Sequence, residues 1–159
     1  MEIVPYEIKD STSVTAFFRE IFDEMGWKER VSDHMDQPHL LFHLPQEGLL
    51  LLVKKDNKII GTAGIIFLTK TDGLIKRFYI GQQYRGTGIA QLLLDELEKK
   101  AKIQGLTQLI LDVSKGNTRA IRFYEKSGFS KTEVIPQEGW LESCKPETHY
   151  YFMKRLLRK

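Results

Sequence analysis

The segment from Ile80 to Ala90 constrains the fold more than any other part of the chain. An apolar, strand-like run ends at Ile80, two glycines follow at Gly86 and Gly88, and a long amphipathic pattern begins directly after them. The start of a helix leaves about four backbone N–H groups without intrahelical acceptors, and the macrodipole adds roughly half a positive charge there. Glycines carry no side chain that would keep a bulky anion away from those donors, and Arg85 adds a cation. The segment therefore predicts a strand, a phosphate-binding loop and a helix in direct succession.

Strand and helix patterns surround this loop. Strand-like runs are predicted at about residues 3–8, 49–55, 58–68, 74–80, 107–113, 129–134 and 148–156. Helical patterns are predicted at about residues 14–25, 29–37, 86–104 and 117–127, the second of them ending before Pro38. The third helix is expected to bury Ile89, Leu92, Leu93, Leu97 and Ala101 and to carry i,i+4 ion pairs at 95/99, 96/100 and 98/102. This order predicts a mixed α/β sheet with helices on both faces.

Length and composition indicate one globular domain over residues 1–159. No apolar run approaches the roughly 18–20 residues of a membrane span, and the N-terminus has no signal-peptide pattern. Cys144 is the only cysteine, so an intramolecular disulfide is excluded. We therefore expect a cytoplasmic protein without a membrane partner.

The charges are unevenly distributed between the two halves of the chain. Residues 1–73 hold 8 Lys and Arg against 12 Asp and Glu, whereas residues 74–159 hold 16 against 9. A basic half suits a polyanionic cofactor and an acidic half suits a cationic partner, although ordinary variation in surface composition would give the same counts. The basic residues are dispersed, which disfavours nucleic acid as a partner.

Two other phosphate-binding loops match the segment less well. A P-loop needs Gly-Lys-Ser/Thr, which occurs nowhere in the chain. A dinucleotide-binding turn would combine Gly86 and Gly88 with Asp112, which ends the next strand about 20 residues further on, where a ribose ligand is expected. Its third glycine would fall at Gln91, and several residues separate the strand from Gly86, whereas the dinucleotide turn is tight. A dinucleotide oxidoreductase stays open as the weaker alternative.

Two motifs resemble those of the GNAT superfamily of N-acetyltransferases. Gln83-x-x-Gly86-x-Gly88 resembles the signature Q/R-x-x-G-x-G/A, and the fuller run from Tyr84 to Ala90 resembles its usual form, with Ala90 where glycine is commonest. Residues 117–129 are similar to the second motif N-x-x-A-x-x-F/L-Y-E-x-x-G-F. The resemblance covers about residues 74–135. It implies a GNAT-type α/β fold, with a mixed, mainly antiparallel central sheet of six to seven strands flanked by about four helices. It also implies acceptor-side elements at about 1–73, an acyl-CoA-binding core at about 74–135 and C-terminal strands at about 129–156.

The resemblance implies that acetyl-CoA is the acyl donor and that the loop binds its pyrophosphate. The donors would be the backbone N–H groups from Arg85 to Ala90 and the Thr87 hydroxyl. The pantetheine arm would pair with the strand that ends at Ile80, which in this family often carries a bulge that frees an N–H for the thioester carbonyl. Asn117 would either bind that arm or only cap its helix. The cofactor-binding residues expected on this basis are Phe78, Tyr79, Ile80, Gln83, Arg85, Gly86, Thr87, Gly88, Ile89, Ala90 and Asn117.

The resemblance also implies that Tyr124 is catalytic and donates a proton to the departing thiolate of coenzyme A. A thiol pKa near ~8.5 and a phenol pKa near ~10 are close enough for transfer within a hydrogen bond. The general base is not identified, because many family members have a glutamate where this strand begins at Leu74. A water chain would serve, and no role is assigned to the carboxylates considered, which are Glu20, Asp23, Glu24 and Asp112.

The predicted function is transfer of an acyl group, acetyl in the simplest case, to a primary amine by direct attack in a ternary complex. The acceptor is a small-molecule amine or a protein amine, and its pocket is expected between the first helices and the loop at 136–146. Candidate lining residues are Trp27, His39, His43 and Trp140. No histidine spacing matches a metal motif, so no metal is expected. The oligomeric state is open, a homodimer included, and the alternative function is a non-catalytic acetyl-CoA-binding sensor or scaffold.

Overall fold

Seven strands and four α-helices form the part of the chain that the structure describes. The structure is a computed structural model and describes residues 1–133 and 145–157. The strands are β1 (Glu2–Pro5), β2 (Leu49–Lys55), β3 (Lys58–Phe67), β4 (Asp72–Ile80), β5 (Gln108–Ser114), β6 (Ser130–Thr132) and β7 (His149–Arg155). The helices are α1 (Ser11–Met25), α2 (Pro38–Leu41), α3 (Ile89–Ile103) and α4 (Thr118–Lys126). Short 3₁₀ turns lie at Ile8–Asp10, Val31–Asp33 and Gln82–Tyr84.

The strands form one sheet in the order β1-β2-β3-β4-β5-β7-β6. Neighbouring strands are antiparallel except β4 and β5, which run parallel because α3 carries the chain back to the end where β4 began. This sheet and its four helices confirm the predicted mixed, mainly antiparallel α/β fold.

The parallel pair is hydrogen-bonded at one end only. Residues 72–74 of β4 pair with residues 108–110 of β5, but β4 continues to Ile80 and β5 to Ser114. Within the described residues, no strand pairs with this edge of β4 beyond Leu74. We call the gap between residues 75–80 and residues 111–114 the β4–β5 opening.

A bulge lies in β4 beside this opening. Arg77 and Phe78 together face the single β3 residue Ala63, because the register shifts between Thr62 and Gly64. Arg77 has a φ of 57°, and its carbonyl accepts a hydrogen bond from the Thr62 hydroxyl at 2.7 Å. The extra residue re-aims the side chains that follow it.

One hydrophobic cluster lies on each face of the sheet. The first joins α3 and α4 to the sheet and includes Leu93, Leu97, Leu111, Tyr124 and Phe152. The second joins α1 and α2 to the opposite face and includes Val14, Phe18, Phe22, Phe42 and Leu52. Full burial of such a side chain contributes about 1.5–3 kcal/mol, so the apolar stripes of α1 and α3 fix both helices against the sheet.

Three sequence predictions about local structure are wrong. The first strand ends at Pro5, because a 3₁₀ turn begins at Ile8 and the Asp10 carboxylate accepts the Glu7 N–H at 3.0 Å. Instead of a helix at 29–37, only the turn Val31–Asp33 forms there, and α2 begins at Pro38 itself, where a missing N–H costs nothing.

The third error concerns the buried face of α3. Leu92 is 52% exposed and Leu94 is buried in its place, so the apolar stripe is rotated relative to the prediction. The remaining predicted members of that stripe are buried. No helix in residues 1–133 and 145–157 combines the length and the apolar character needed to cross a membrane.

Candidate active site

A row of backbone donors lies between β4 and α3. Gly86 and Gly88 have φ values of 76° and 88°, which favour glycine, and a Cβ on either would meet nothing within 4 Å. Within the described residues, no acceptor is hydrogen-bonded to the N–H of any residue from Gly86 to Ala90. These donors lie at the positive end of the 15-residue helix α3, so the loop can bind an anion such as a pyrophosphate.

Arg85 uses its side chain to join the loop to α1. Its guanidinium donates two hydrogen bonds to the Glu24 carboxylate, one of them at 2.8 Å, and its Nε donates to the Ile80 carbonyl at 3.0 Å. The hydrogen bond from Arg85 lowers the pKa of Glu24. The backbone N–H of Arg85 donates to Gln82 at 3.4 Å. The cation expected to face phosphate is thus paired with a carboxylate, and its N–H does not belong to the row of unpaired donors.

The other loop residues predicted to bind the cofactor take different positions. Ile80 and Ile89 are buried in the core, so only their backbones are available to a ligand. Gln83 is exposed, and the Thr87 hydroxyl donates to a carbonyl of its own loop. Asn117 caps α4, because its Oδ1 accepts the backbone N–H of the residue three positions further on at 3.2 Å.

The rings of Phe78 and Tyr79 lie on opposite faces of the sheet, because side chains alternate along a strand. The bulge in β4 determines which ring lies on which face. Phe78 packs edge-on against Tyr124 of α4, with ring centroids 6.1 Å apart. Tyr79 packs against Phe18 of α1 at 6.0 Å and against Trp27 at 6.1 Å. Burial raises the pKa of the Tyr79 phenol. Phe78 therefore faces α4, whereas Tyr79 faces α1.

Tyr124 is a buried phenol beside the opening. The residue is 8% exposed, and its ring also contacts Phe123 and Phe129 with centroids at 5.4 and 5.6 Å. Burial raises the pKa of Tyr124 well above its ordinary value, and the Asp112 carboxylate raises it further. The phenol is protonated at neutral pH, as a proton donor must be, and the raised pKa increases its separation from the thiol pKa near ~8.5.

An ion pair bridges the opening on the face away from α4. The Lys76 ammonium donates to the Asp112 carboxylate at 2.7 Å, and the carboxylate side chain is 10% exposed. Leu111 and Val113 pack in the α3–α4 cluster, so alternation along β5 places Asp112 on the other face. Two of the carboxylates considered as bases, Asp112 and Glu24, thus already have cationic partners.

Arg77 is a functional candidate that the sequence analysis missed. It is 9% exposed, lies 5.4 Å from the Phe18 ring centroid and 5.1 Å from that of Phe22, and donates to both the carbonyl and the carboxylate of Asp33. Its Nε has no hydrogen-bond partner within the described residues. The sequence contained a signal for this residue, because Lys76 and Arg77 are two consecutive cations inside an otherwise apolar strand.

The predicted acceptor-pocket residues are only partly brought together. Trp27 is 42% exposed and packs against β4, and His39 Nδ1 lies 3.3 Å from the Tyr6 hydroxyl. His43 lies in the turn after α2 with a φ of 56°. Trp140 and most of the predicted loop at 136–146 lie outside the described residues.

A cavity of about 140 Å³ lies between α1 and the loop after β4. Glu20 and Gln83 line it together with the ion-paired Glu24, whereas Tyr124 and Phe78 do not. The cavity is therefore separate from the β4–β5 opening. In the described part of the chain, no three His, Cys, Asp or Glu residues are grouped in a way that could hold a metal ion.

Comparisons with known proteins agree on one family. Residues 14–129 match the model of the acetyltransferase (GNAT) family. An uncharacterized N-acetyltransferase of Mycobacterium tuberculosis is 34% identical over 80 residues, which are 50% of this chain and 51% of the relative. The chain thus spans about half the length of the curated relatives it matches.

Two solved structures share the fold over nearly their whole length. A GNAT-family acetyltransferase from Staphylococcus aureus Mu50 has a TM-score of 0.79 at 21% identity, covering 98% of this chain and 99% of that one. The PaiA N-acetyltransferase from Thermoplasma acidophilum, in complex with coenzyme A, has a TM-score of 0.77 at 20% identity, covering 97% and 98%. Likeness at these identities establishes the fold.

Proposed function

The chain belongs to the acetyltransferase (GNAT) family, and we propose that it is an N-acyltransferase that moves an acetyl group from acetyl-CoA to a primary amine. The observation that carries this proposal is the row of unpaired N–H donors from Gly86 to Ala90, at the start of α3 and one short turn after the strand that borders the β4–β5 opening. That combination fits a pyrophosphate attached to a long, narrow arm.

Acetyl-CoA would bind along β4. Its pyrophosphate would accept hydrogen bonds from Gly86 to Ala90, and its pantetheine arm would enter the opening and run along the edge of β4 that borders it. The bulge at Arg77 and Phe78 would present a backbone N–H to the thioester carbonyl. A donor placed where an oxyanion develops is typically worth about 3 kcal/mol.

The amine would attack the thioester directly within a ternary complex. Tyr124, on the α4 side of the sheet, would donate its proton to the departing thiolate. The acceptor would approach from the α1 side, where the acidic residues of the N-terminal half favour a cationic amine. We propose a single domain over residues 1–159, whereas the nature of the acceptor and a cytoplasmic location stay predictions.

Thiol release from acetyl-CoA tests the proposal directly. The panel would contain spermidine, kanamycin, lysine and a peptide with a free N-terminus, and wild type would be compared with Tyr124→Phe, which keeps the packed ring. We expect turnover with at least one amine, initial rates that fit a ternary-complex pattern, and a loss of about 10²-fold or more in kcat for the variant. Ping-pong kinetics would contradict direct attack.

A non-catalytic acetyl-CoA sensor or scaffold is the second candidate, because Leu74 is fully buried where many family members carry a glutamate. This candidate predicts acetyl-CoA binding by calorimetry but no thiol release with any amine. It also predicts that Tyr124→Phe binds acetyl-CoA with the same affinity as wild type.

A further inference from the structure

The amine acceptor requires a general base, whereas Tyr124 is proposed as the acid. An alkylammonium with a pKa near ~10 must lose a proton before its nitrogen can attack. Leu74 offers no base, and Asp112 and Glu24 already accept hydrogen bonds from cations. The base must also lie on the acceptor face of the sheet, away from α4.

His149 lies on that face at the end of the opening. In the β5–β7 ladder it pairs with Ser114, the last residue of β5. Asp112 of β5 pairs with Tyr151, which lies two residues after His149 on β7. Tyr150 and Phe152 pack in the α3–α4 cluster, so alternation along β7 places His149 on the same face as the Lys76–Asp112 ion pair. The imidazole is half-buried.

The Thr148 hydroxyl contacts the Nδ1 side of the His149 imidazole. The Thr148 hydroxyl lies 2.7 Å from His149 Nδ1 and 3.3 Å from the Lys145 carbonyl oxygen. A carbonyl can only accept, so when the Thr148 hydroxyl donates to Lys145 it accepts from Nδ1–H. The neutral ring then has its lone pair on Nε2, which is hydrogen-bonded to no group within the described residues.

Resting on the proposed function, we propose that His149 is the general base of the transfer, taking a proton from the acceptor ammonium at Nε2, and that Thr148 is its positioning residue. The neutral amine then attacks the thioester carbon, the C–N bond forms and the C–S bond breaks. The thiolate takes the Tyr124 proton, the amide nitrogen loses its second proton to restore Tyr124, and His149 releases one proton to solvent. Acid and base thus act from opposite faces of the sheet.

The surroundings of His149 keep it in the basic form. Burial lowers the pKa of His149, the Asp112 carboxylate raises it and the Lys76 ammonium lowers it, with a net lowering. Those are the charged groups that act on the ring from β5 and β4. Because the pKa lies below its ordinary value, the ring is neutral at pH 7 and protonates only in more acidic solution.

The test is the pH dependence of kcat/KM for the panel amine that wild type acetylates fastest, measured between about pH 5.5 and 9. Wild type should lose activity as the pH falls through the pKa of His149. His149→Ala and His149→Gln should lower kcat about 10²-fold at pH 7, abolish that acidic limb and recover activity with added imidazole. Thr148→Ser should behave like wild type, whereas Thr148→Val should lose several-fold.

Three results would overturn the proposal. One is full activity of both His149 variants across the pH range. Another is a slowed His149→Gln that keeps the acidic limb and ignores imidazole. The third is loss of that limb in Asp112→Asn while the His149 variants keep it. Absence of turnover by wild type with every amine would instead contradict the proposed function itself. The control for folding is the rise in melting temperature with acetyl-CoA, which should be the same for wild type and each variant.

Discussion

Tyr124 and Arg77 are both buried polar side chains, but burial acts on them in different ways. Tyr124 is neutral when buried, and a raised pKa keeps it so. The Arg77 guanidinium is paired with the Asp33 carboxylate and lies close to the rings of Phe18 and Phe22. Substitutions at these two residues are therefore expected to change the stability of the protein in different ways.

For Tyr124 the prediction concerns alkaline pH. As the pH rises past about 10, the unfolded chain releases the phenol proton while the folded chain retains it, so the free energy of unfolding falls. Tyr124→Phe removes this linkage, and its melting temperature should fall less than that of wild type between about pH 9 and 11. Tyr79 also has a raised pKa, so the difference is partial. If the melting temperatures of wild type and Tyr124→Phe fell equally with pH, the burial of a neutral phenol at Tyr124 would be contradicted.

For Arg77 the prediction concerns its positive φ. Arg77→Ala and Arg77→Gly lose the same guanidinium contacts, but a non-glycine residue in the left-handed region costs about 1–2 kcal/mol. The glycine variant should therefore be the more stable of the two by about 1 kcal/mol in urea unfolding. At Lys76, whose φ is not positive, the same pair should show the usual order, with alanine more stable than glycine. If the alanine variant were the more stable one at both positions, the backbone at residue 77 would have left its positive φ and the prediction would be wrong.

At the scale of elements, one ion pair joins the loop before α3 to α1. Arg85 and Glu24 are 61 residues apart in the chain, and their hydrogen bonds hold the start of α3 against the end of α1. The carboxylate also lies close enough to Arg119 of α4 for that cation to lower its pKa further. A negative charge thus stands beside a loop that is proposed to bind an anion.

Glu24→Gln should consequently strengthen acetyl-CoA binding. At about 10 Å in water, one unit charge repels another by about 0.4 kcal/mol, so two phosphate charges give about a fourfold change in Kd at low salt. Calorimetry would measure it, and Glu20→Gln, one turn earlier on α1, is the matched control. Unchanged or weaker binding would mean that the position of Arg85 matters more than the charge of Glu24.

The surface of α3 shows which part of an element the sequence predicts. Of the three expected i,i+4 ion pairs, the one between Glu96 and Lys100 forms, with nitrogen and oxygen 3.8 Å apart. Glu98 instead pairs with Lys154 of β7 at 2.9 Å, and Lys154 also donates to the Ser127 carbonyl. Spacing along a helix identifies potential partners, but a strand packed against it can offer a better one.

At the scale of the whole molecule, acetyl-CoA would bind elements from both halves of the sheet and stabilise the folded chain. At 100 times its Kd, a ligand adds about 2.7 kcal/mol, which raises the melting temperature of a domain of this size by about 5–10 °C. Acetyl-CoA should produce this shift and NADH should not, whereas Gly86→Ala should reduce it. A shift with NADH alone would restore the dinucleotide alternative.

The sequence by itself determined the local units of this protein: the loop with its two glycines before α3, the end of α1, the start and end of α4, and most strand positions. Hydrophobic periodicity, caps and turn residues act over a few neighbouring residues, so the linear chain records them. The tertiary structure alone decided that Arg85 pairs with Glu24, that β4 separates from β5 beyond Leu74, and that His149 lies beside Asp112. Those relations depend on which distant groups the folded sheet brings together, and no local pattern encodes them.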